Sequence, residues 1–203
     1  MTQQRPTRAS GRWLGVLATI IALATVAGCG GGDDTSAVPG SPAGGANAGA
    51  FPVTITHKFG QTSIPAEPRR VVTVGQTDQD AVLALGVVPV GTTEWYGEYP
   101  GALWPWAQEK RNELNGALPT VLPAAEDIEF EQIAALQPDL ILALYAGLDQ
   151  NQYDLLSQIA PTVTQPEGVV DFGIPWDVQT RVVGQALGRS SQAEQLIGSV
   201  EKQ

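Results

Sequence analysis

The stretch Arg70-Val71-Val72-Thr73-Val74-Gly75-Gln76-Thr77-Asp78-Gln79-Asp80-Ala81-Val82-Leu83-Ala84-Leu85-Gly86-Val87-Val88-Pro89-Val90-Gly91 decides the fold. Val71 to Gly75 is a nearly continuous β-branched run, the pattern of a strand buried on both faces. From Asp78 to Leu85 the apolar residues Ala81, Val82 and Leu85 fall at helical spacing, and Gly86 stops the helix. Val87 to Gly91 predicts a second short strand. Strand, helix and strand joined by short links form a βαβ unit, whose two strands run parallel.

The same alternation extends C-terminally. Thr120-Val121-Leu122 predicts a strand and Glu131 to Leu136 a helix, which stops before Pro138. Leu140 to Leu144 is a further buried strand, Asn151 to Ile159 a helix, and Pro161-Thr162-Val163 the start of another strand. Asp177 to Leu187 and Ser191 to Gln203 read as helices, the last running to the end of the sequence with no stop signal. Upstream, Val53 to His57 alternates as a half-buried strand does, and Thr62-Ser63-Ile64 pairs back across Gly60 as a hairpin. Trp95 to Leu118 is expected to be a long connection rich in aromatics, Gly and Pro, a length that usually serves function. The fold class is therefore α/β with a mostly parallel sheet.

The first 50 residues do not belong to that fold. Arg5, Arg8 and Arg12 precede an apolar run from Trp13 to Ala27, so residues 1–28 read as an export signal, shorter than a bilayer-spanning helix. The run ends in Val26-Ala27-Gly28-Cys29, which resembles a bacterial lipobox, with Cys29 as the acylated residue. Residues 29–50 form a Gly/Ala/Ser-rich tether of roughly 25 Å on average. Residues 51–190 are the α/β lobe and 191–203 the start of a further helix. The chain is expected at the extracytoplasmic face of the cell membrane, lipid-anchored.

Composition excludes several functions. The 203 residues carry 21 acidic against 11 basic side chains, and three of the latter leave with the signal. So acidic a surface does not suit nucleic acid. One Cys and one His exclude an internal disulfide, a Cys-rich metal site and a multi-His site. Val74-Gly75-Gln76-Thr77-Asp78 lies where a dinucleotide-binding turn would, but has one Gly where that turn needs three. His57 has no Ser or Cys partner and reads as a surface or hairpin histidine. Glu126-Asp127-Ile128-Glu129 supplies negative charge to the start of the next helix. No catalytic constellation is present, and no cofactor or protein-bound metal is expected.

The candidate site is positional. Ligands of open α/β sheets bind beyond the carboxyl ends of the strands. The predicted strand ends at Gly75, Gly91 and Leu144 are followed by Gln76, by Trp95 and Tyr96, and by Tyr145. The connections add Tyr99, Trp104, Trp106 and Trp176, which places all four tryptophans beyond the signal in loops. Gln76, Trp95, Tyr96, Trp106, Tyr145 and Trp176 are the ligand-contacting candidates. Rigid aromatics at a rim suit a bulky, partly apolar ligand.

Several segments carry a resemblance. The lipobox, Arg70 to Val74, Leu85 to Gly91, Phe130-Glu131-Gln132-Ile133-Ala134-Ala135-Leu136-Gln137-Pro138-Asp139-Leu140-Ile141-Leu142 and Gln185-Ala186-Leu187-Gly188-Arg189 resemble the periplasmic-binding proteins of ferric-siderophore, haem and cobalamin ABC importers. Glu94-Trp95-Tyr96-Gly97 and Trp104-Pro105-Trp106-Ala107 are similar to its actinobacterial iron–siderophore lipoproteins. The resemblance implies two Rossmann-like lobes joined by a long bridging helix, with the ligand between them and no catalysis. Here the match ends where that helix begins, near Ala193, so the chain reads as the N-terminal lobe with the second lobe missing. It implies a monomer that takes a ferric siderophore, its iron held by the siderophore, and passes it to a membrane permease. Glu131 matches the position that docks permease arginines, with Glu129 as an alternative. The few basic residues near the strand ends, Lys110 and Arg111, favour neutral or cationic hydroxamate or mixed-type complexes. Haem or cobalamin binding, and a surface lipoprotein without ligand, stay open as alternatives.

Overall fold

The structure is a computed structural model, which describes residues 50–123 and 128–203. The signal, Cys29, the tether up to residue 49, Glu126 and Asp127 lie outside the described residues.

Strands β1 (Val53–His57) and β2 (Gly60–Ile64) form the expected hairpin. The sheet that follows has five parallel strands: β3 (Val71–Thr73), β4 (Gly91–Thr93), β5 (Thr120–Leu122), β6 (Leu140–Ala143) and β7 (Thr162–Thr164). Their order is β5-β4-β3-β6-β7, so the chain moves outward from β3 in one direction and then returns to its other side. The helices are α1 (Asp78–Ala84), α2 (Pro105–Glu113), α3 (Phe130–Ala135), α4 (Gln150–Ile159), α5 (Trp176–Ala186) and α6 (Ser190–Val200).

Alternation along the central strands builds two cores. Val71, Leu140 and Leu142 face one side, where they meet Val82, Val183, Ala186, Ala193 and the hairpin's Ile55 and Ile64. Val72, Ile141 and Ala143 face the other, with Leu122, Ile133, Leu148 and Leu156. Every residue of β3 and β6 is buried, as the unbroken apolar runs require.

Several expectations need correction. The strand after α1 is not Val87 to Gly91 but β4, Gly91–Thr93. Val87 N–H bonds back to Val82 O, and Pro89 has no N–H to give; pairing with β3 begins only at Val90 N, 2.8 Å from Val71 O. The long connection after β4 contains α2. Its signals are Pro105 at the first helical turn and Lys110 and Arg111 in the last. Trp106 therefore stands on a helix, and Trp176 opens α5, rather than both lying in loops. The last helix ends at Val200, with Glu201 as its C-cap, and does not run to Gln203.

The resemblance-bearing segments contribute structural clips. Asp139 accepts hydrogen bonds from Arg69 N and Arg70 N at 2.8–3.0 Å, fastening the start of β6 to that of β3. Arg189, nearly buried, donates to Leu85 O and lies 3.7 Å from Glu67. His57 sits on the hairpin as expected but is buried, not on the surface. Its Nδ1 accepts from Phe59 N (3.3 Å) and the Thr164 hydroxyl (3.1 Å), so the proton is on Nε2, donated to Thr62 Oγ1 at 2.8 Å. Thr62 in turn donates to Thr162 O at 2.6 Å, and Lys58 N donates to Gln165 O at 2.9 Å. These bonds seat the hairpin beside β7.

Candidate functional site

The reversal of strand order places a crevice between the carboxyl ends of β3 and β6. The turn after β3 is tied to the chain after β6 by Gln76 N donating to Tyr145 O at 3.2 Å. Asp78 holds the same junction from below. It is fully buried, and its carboxylate accepts from Leu144 N (2.8 Å), Tyr145 N (3.2 Å) and Gln179 Nε2 (2.6 Å). Burial pushes its pKa up to about 6, and these hydrogen bonds, with one from Gly75 N, limit the rise. A side chain at Gly75 would strike that carboxylate, which explains the glycine there. Sequence reasoning missed Asp78. Its partners come from the chain just after β6 and from α5, 66 and 101 residues away, and nothing local announces them.

Two depressions open on this end of the sheet. A cleft of about 320 Å³ is lined by Val74, Gln76, Thr93, Glu129, Gln152 and Phe172, among others. A smaller groove of about 100 Å³ is lined by Gln76, Thr77, Gln79, Asp80, Trp95, Tyr96, Trp104 and Trp106. Gln76 borders both. The structure thus brings Gln76, Trp95, Tyr96 and Trp106 together. Tyr145 and Trp176 lie apart from them, in a third depression with Thr77, Asp80 and Gln179 between α1, α5 and α6.

The aromatics form a connected ladder. Trp95 meets Tyr96 edge-on at 4.6 Å between centroids, Tyr96 meets Trp104 edge-on at 4.8 Å, and Trp104 stacks on Trp106 at 5.2 Å. Trp106 Nε1 donates to Asp80 Oδ2 at 3.3 Å. Trp104 is the inner rung, whereas Trp95, Tyr96 and Trp106 are 45 %, 56 % and 60 % exposed. Large rings held by neighbours yet half open to water are a contact surface with little ordering entropy left to lose. Phe172 is a site residue the sequence did not suggest. It holds a positive φ of 58°, meets Tyr145 edge-on at 5.5 Å, and is clipped in place because the neighbouring Asp171 pairs with Lys58 at 2.7 Å.

Glu131 is exposed in the first turn of α3, and Glu129 is that helix's N-cap residue, partly buried in the cleft wall. Lys110 pairs with Glu113 at 2.9 Å, and Arg111 donates to Gly116 O at 3.1 Å. No lysine or arginine lines the cleft or the aromatic groove among the described residues.

A parallel sheet with a crevice at its order reversal, walled by half-open aromatics, is an architecture able to hold a solute. The chain belongs to the periplasmic binding protein family, whose model matches residues 71–203. That family consists of binding proteins, not enzymes. A periplasmic solute binding protein from Mycobacterium smegmatis is 48% identical, with a TM-score of 0.69 over 74% of this chain and 51% of that one. The PiaA protein of Streptococcus pneumoniae, solved in complex with ferrichrome, is 33% identical, with a TM-score of 0.68 over 74% of this chain and 49% of that one. The probable siderophore-binding lipoprotein YfiY of Bacillus subtilis is 28% identical over 73% of this chain and 42% of its own length. The chain therefore spans about half the length, or less, of the relatives it matches.

Proposed function

We infer that the chain supplies one lobe of a receptor that captures a ferric siderophore outside the cytoplasm for an ABC importer. The observation that carries this reading is the half-exposed aromatic ladder Trp95-Tyr96-Trp104-Trp106 beside the strand-end crevice. Iron is held by the siderophore's own oxygens, and the rings contact its organic shell. The absence of basic residues from the described lining favours neutral or cationic complexes such as hydroxamates over anionic tris-catecholates. Relatives named for siderophore binding support the same reading. Within it, acylated Cys29 anchors the receptor to the bilayer, and Glu131 meets an arginine fork of the permease.

The test is quenching of tryptophan fluorescence in the full chain by ferric trihydroxamates, set against the iron-free chelators. Saturable quenching by the ferric form is expected. Trp95→Ala and Tyr96→Ala should each weaken it more than tenfold, about 1.4 kcal/mol, with little change in melting temperature. Variants that bind like the parent but melt early would make these residues packing and reject the reading.

A further inference from the structure

Asp80 occupies the third position of α1 and contributes its carboxylate to the aromatic groove. One oxygen, Oδ2, accepts from Trp106 Nε1 at 3.3 Å. The other, Oδ1, is closed to water and has no hydrogen-bond partner among the described residues. A buried carboxylate oxygen without a donor is a costly acceptor left unmet. Lys110, on the facing helix, borders an adjoining depression with Asp80 and Trp106 but is paired with Glu113. Four ring systems complete the groove, and aromatic rings attract a cation placed against their faces. The neighbouring carboxylate of Asp78 does not compete, because its oxygens are bonded to backbone and to Gln179.

Size narrows the occupant. About 100 Å³ is well below the roughly 300–1,000 Å³ of sites that enclose a whole small molecule. It matches a single head group. One carboxylate among rings does not suit Mg²⁺ or Ca²⁺, which take six or more oxygens. An alkylammonium, with three N–H donors on a compact charge, suits both the unmet oxygen and the ring faces.

We propose that this groove is a subsite for an ammonium group carried by the ligand, and that Asp80 is the residue that selects it. The proposal rests on the ferric-siderophore reading and refines it. The iron chelate lies in the larger cleft, Gln76 stands between the two, and the cationic arm enters the groove. Trp106, the most exposed of the rings, gives way so that the ammonium reaches the unmet Oδ1 and takes over the bond that Nε1–H makes to Oδ2. Burial raises the pKa of Asp80, so an arriving cation meets a carboxylate whose charge has lacked compensation.

Two probes share one iron coordination sphere: a linear ferric trihydroxamate ending in a free ammonium, and the same complex N-acetylated at that end. Titrated into the full chain, the ammonium form should bind at least tenfold more tightly. Asp80→Asn keeps an acceptor for Trp106 and should shrink the preference below threefold, the loss falling on the ammonium form. Equal affinities for the native chain, or an undiminished preference in Asp80→Asn, would overturn the proposal. Hexylammonium and hexanol serve as a second pair without iron. If neither iron complex binds but hexylammonium quenches Trp106 in an Asp80-dependent way, the subsite stands and the siderophore reading falls. If hexylammonium and hexanol also act alike, the subsite falls too.

Discussion

Asp78 gives the sharpest handle on the energetics of the crevice. Its carboxyl has a pKa of about 6 in the folded chain against the ordinary aspartate value of 3.8. Between those values the folded state holds a proton that the unfolded state has released. Stability from this group is therefore full below pH 3.8 and is lost as pH rises through about 6. At 1.36 kcal/mol per unit the whole change is about 3 kcal/mol, of which about 2 kcal/mol falls between pH 4.5 and 7.5. Asp78 is fully buried, so solvent does not screen the effect. His57 works in the opposite sense. Burial lowers its pKa, so its contribution is present above pH 6.5 and is lost as pH falls. The wild-type profile mixes the two, and the difference between wild type and Asp78→Asn isolates Asp78. Asparagine must point its NH₂ at one of the donors on Leu144, Tyr145 or Gln179, a penalty of about 1–3 kcal/mol that does not vary with pH. Urea unfolding at pH 4.5 and 7.5 should show the variant's deficit to be about 2 kcal/mol larger at pH 4.5. Equal deficits, or a larger one at pH 7.5, would refute the assignment of a desolvated, protonatable carboxyl to this junction.

Other consequences can be checked separately. If the proposed docking holds, Glu131→Arg should abolish uptake of radiolabelled ferric siderophore by cells that rely on this chain for it, with ligand affinity unchanged; normal uptake would reject the docking role. Cys29→Ser should end incorporation of labelled fatty acid, and a labelled Ser variant would remove the lipid anchor. At Gly184 a Cβ would come 2.5 Å from Ala193 Cβ, where α5 and α6 pack. Gly184→Ala should therefore destabilise by about 1–3 kcal/mol, despite alanine's better helix propensity, and a gain in urea midpoint would contradict that close approach.

The parallel sheet was readable because its central strands are buried on both faces, so Val71-Val72 and Leu140 to Leu144 lack the interruptions that obscure other elements. α2 escaped because it buries only Ala107, leaving no apolar period to detect. β4 was displaced because its own residues, Gly91-Thr92-Thr93, look less like a strand than the Val-rich approach before them. The aromatic residues were identifiable by position, but their partition into separate depressions was not. That partition depends on how α2 carries Trp106 to α1 and how α5 carries Trp176 to Tyr145. Asp78 and Asp80 share a helix turn and a residue type, yet one is a fastening and the other lines a groove. Only the packing of β6 and α5 distinguishes them.

The seating of the hairpin beside β7 has a meaning for solubility. β7 is the last strand on its side of the sheet, and a terminal strand offers backbone groups on which another molecule's strand can be added. Here Thr162 O is capped by Thr62 and Gln165 O by Lys58 N, with the neutral ring of His57 holding Thr62 and Thr164 in place. Protonating that ring removes the acceptor for Thr164 and for Phe59 N at once. Acid therefore loosens the guard on the strand, and intermolecular β-association of this lobe should begin at that edge.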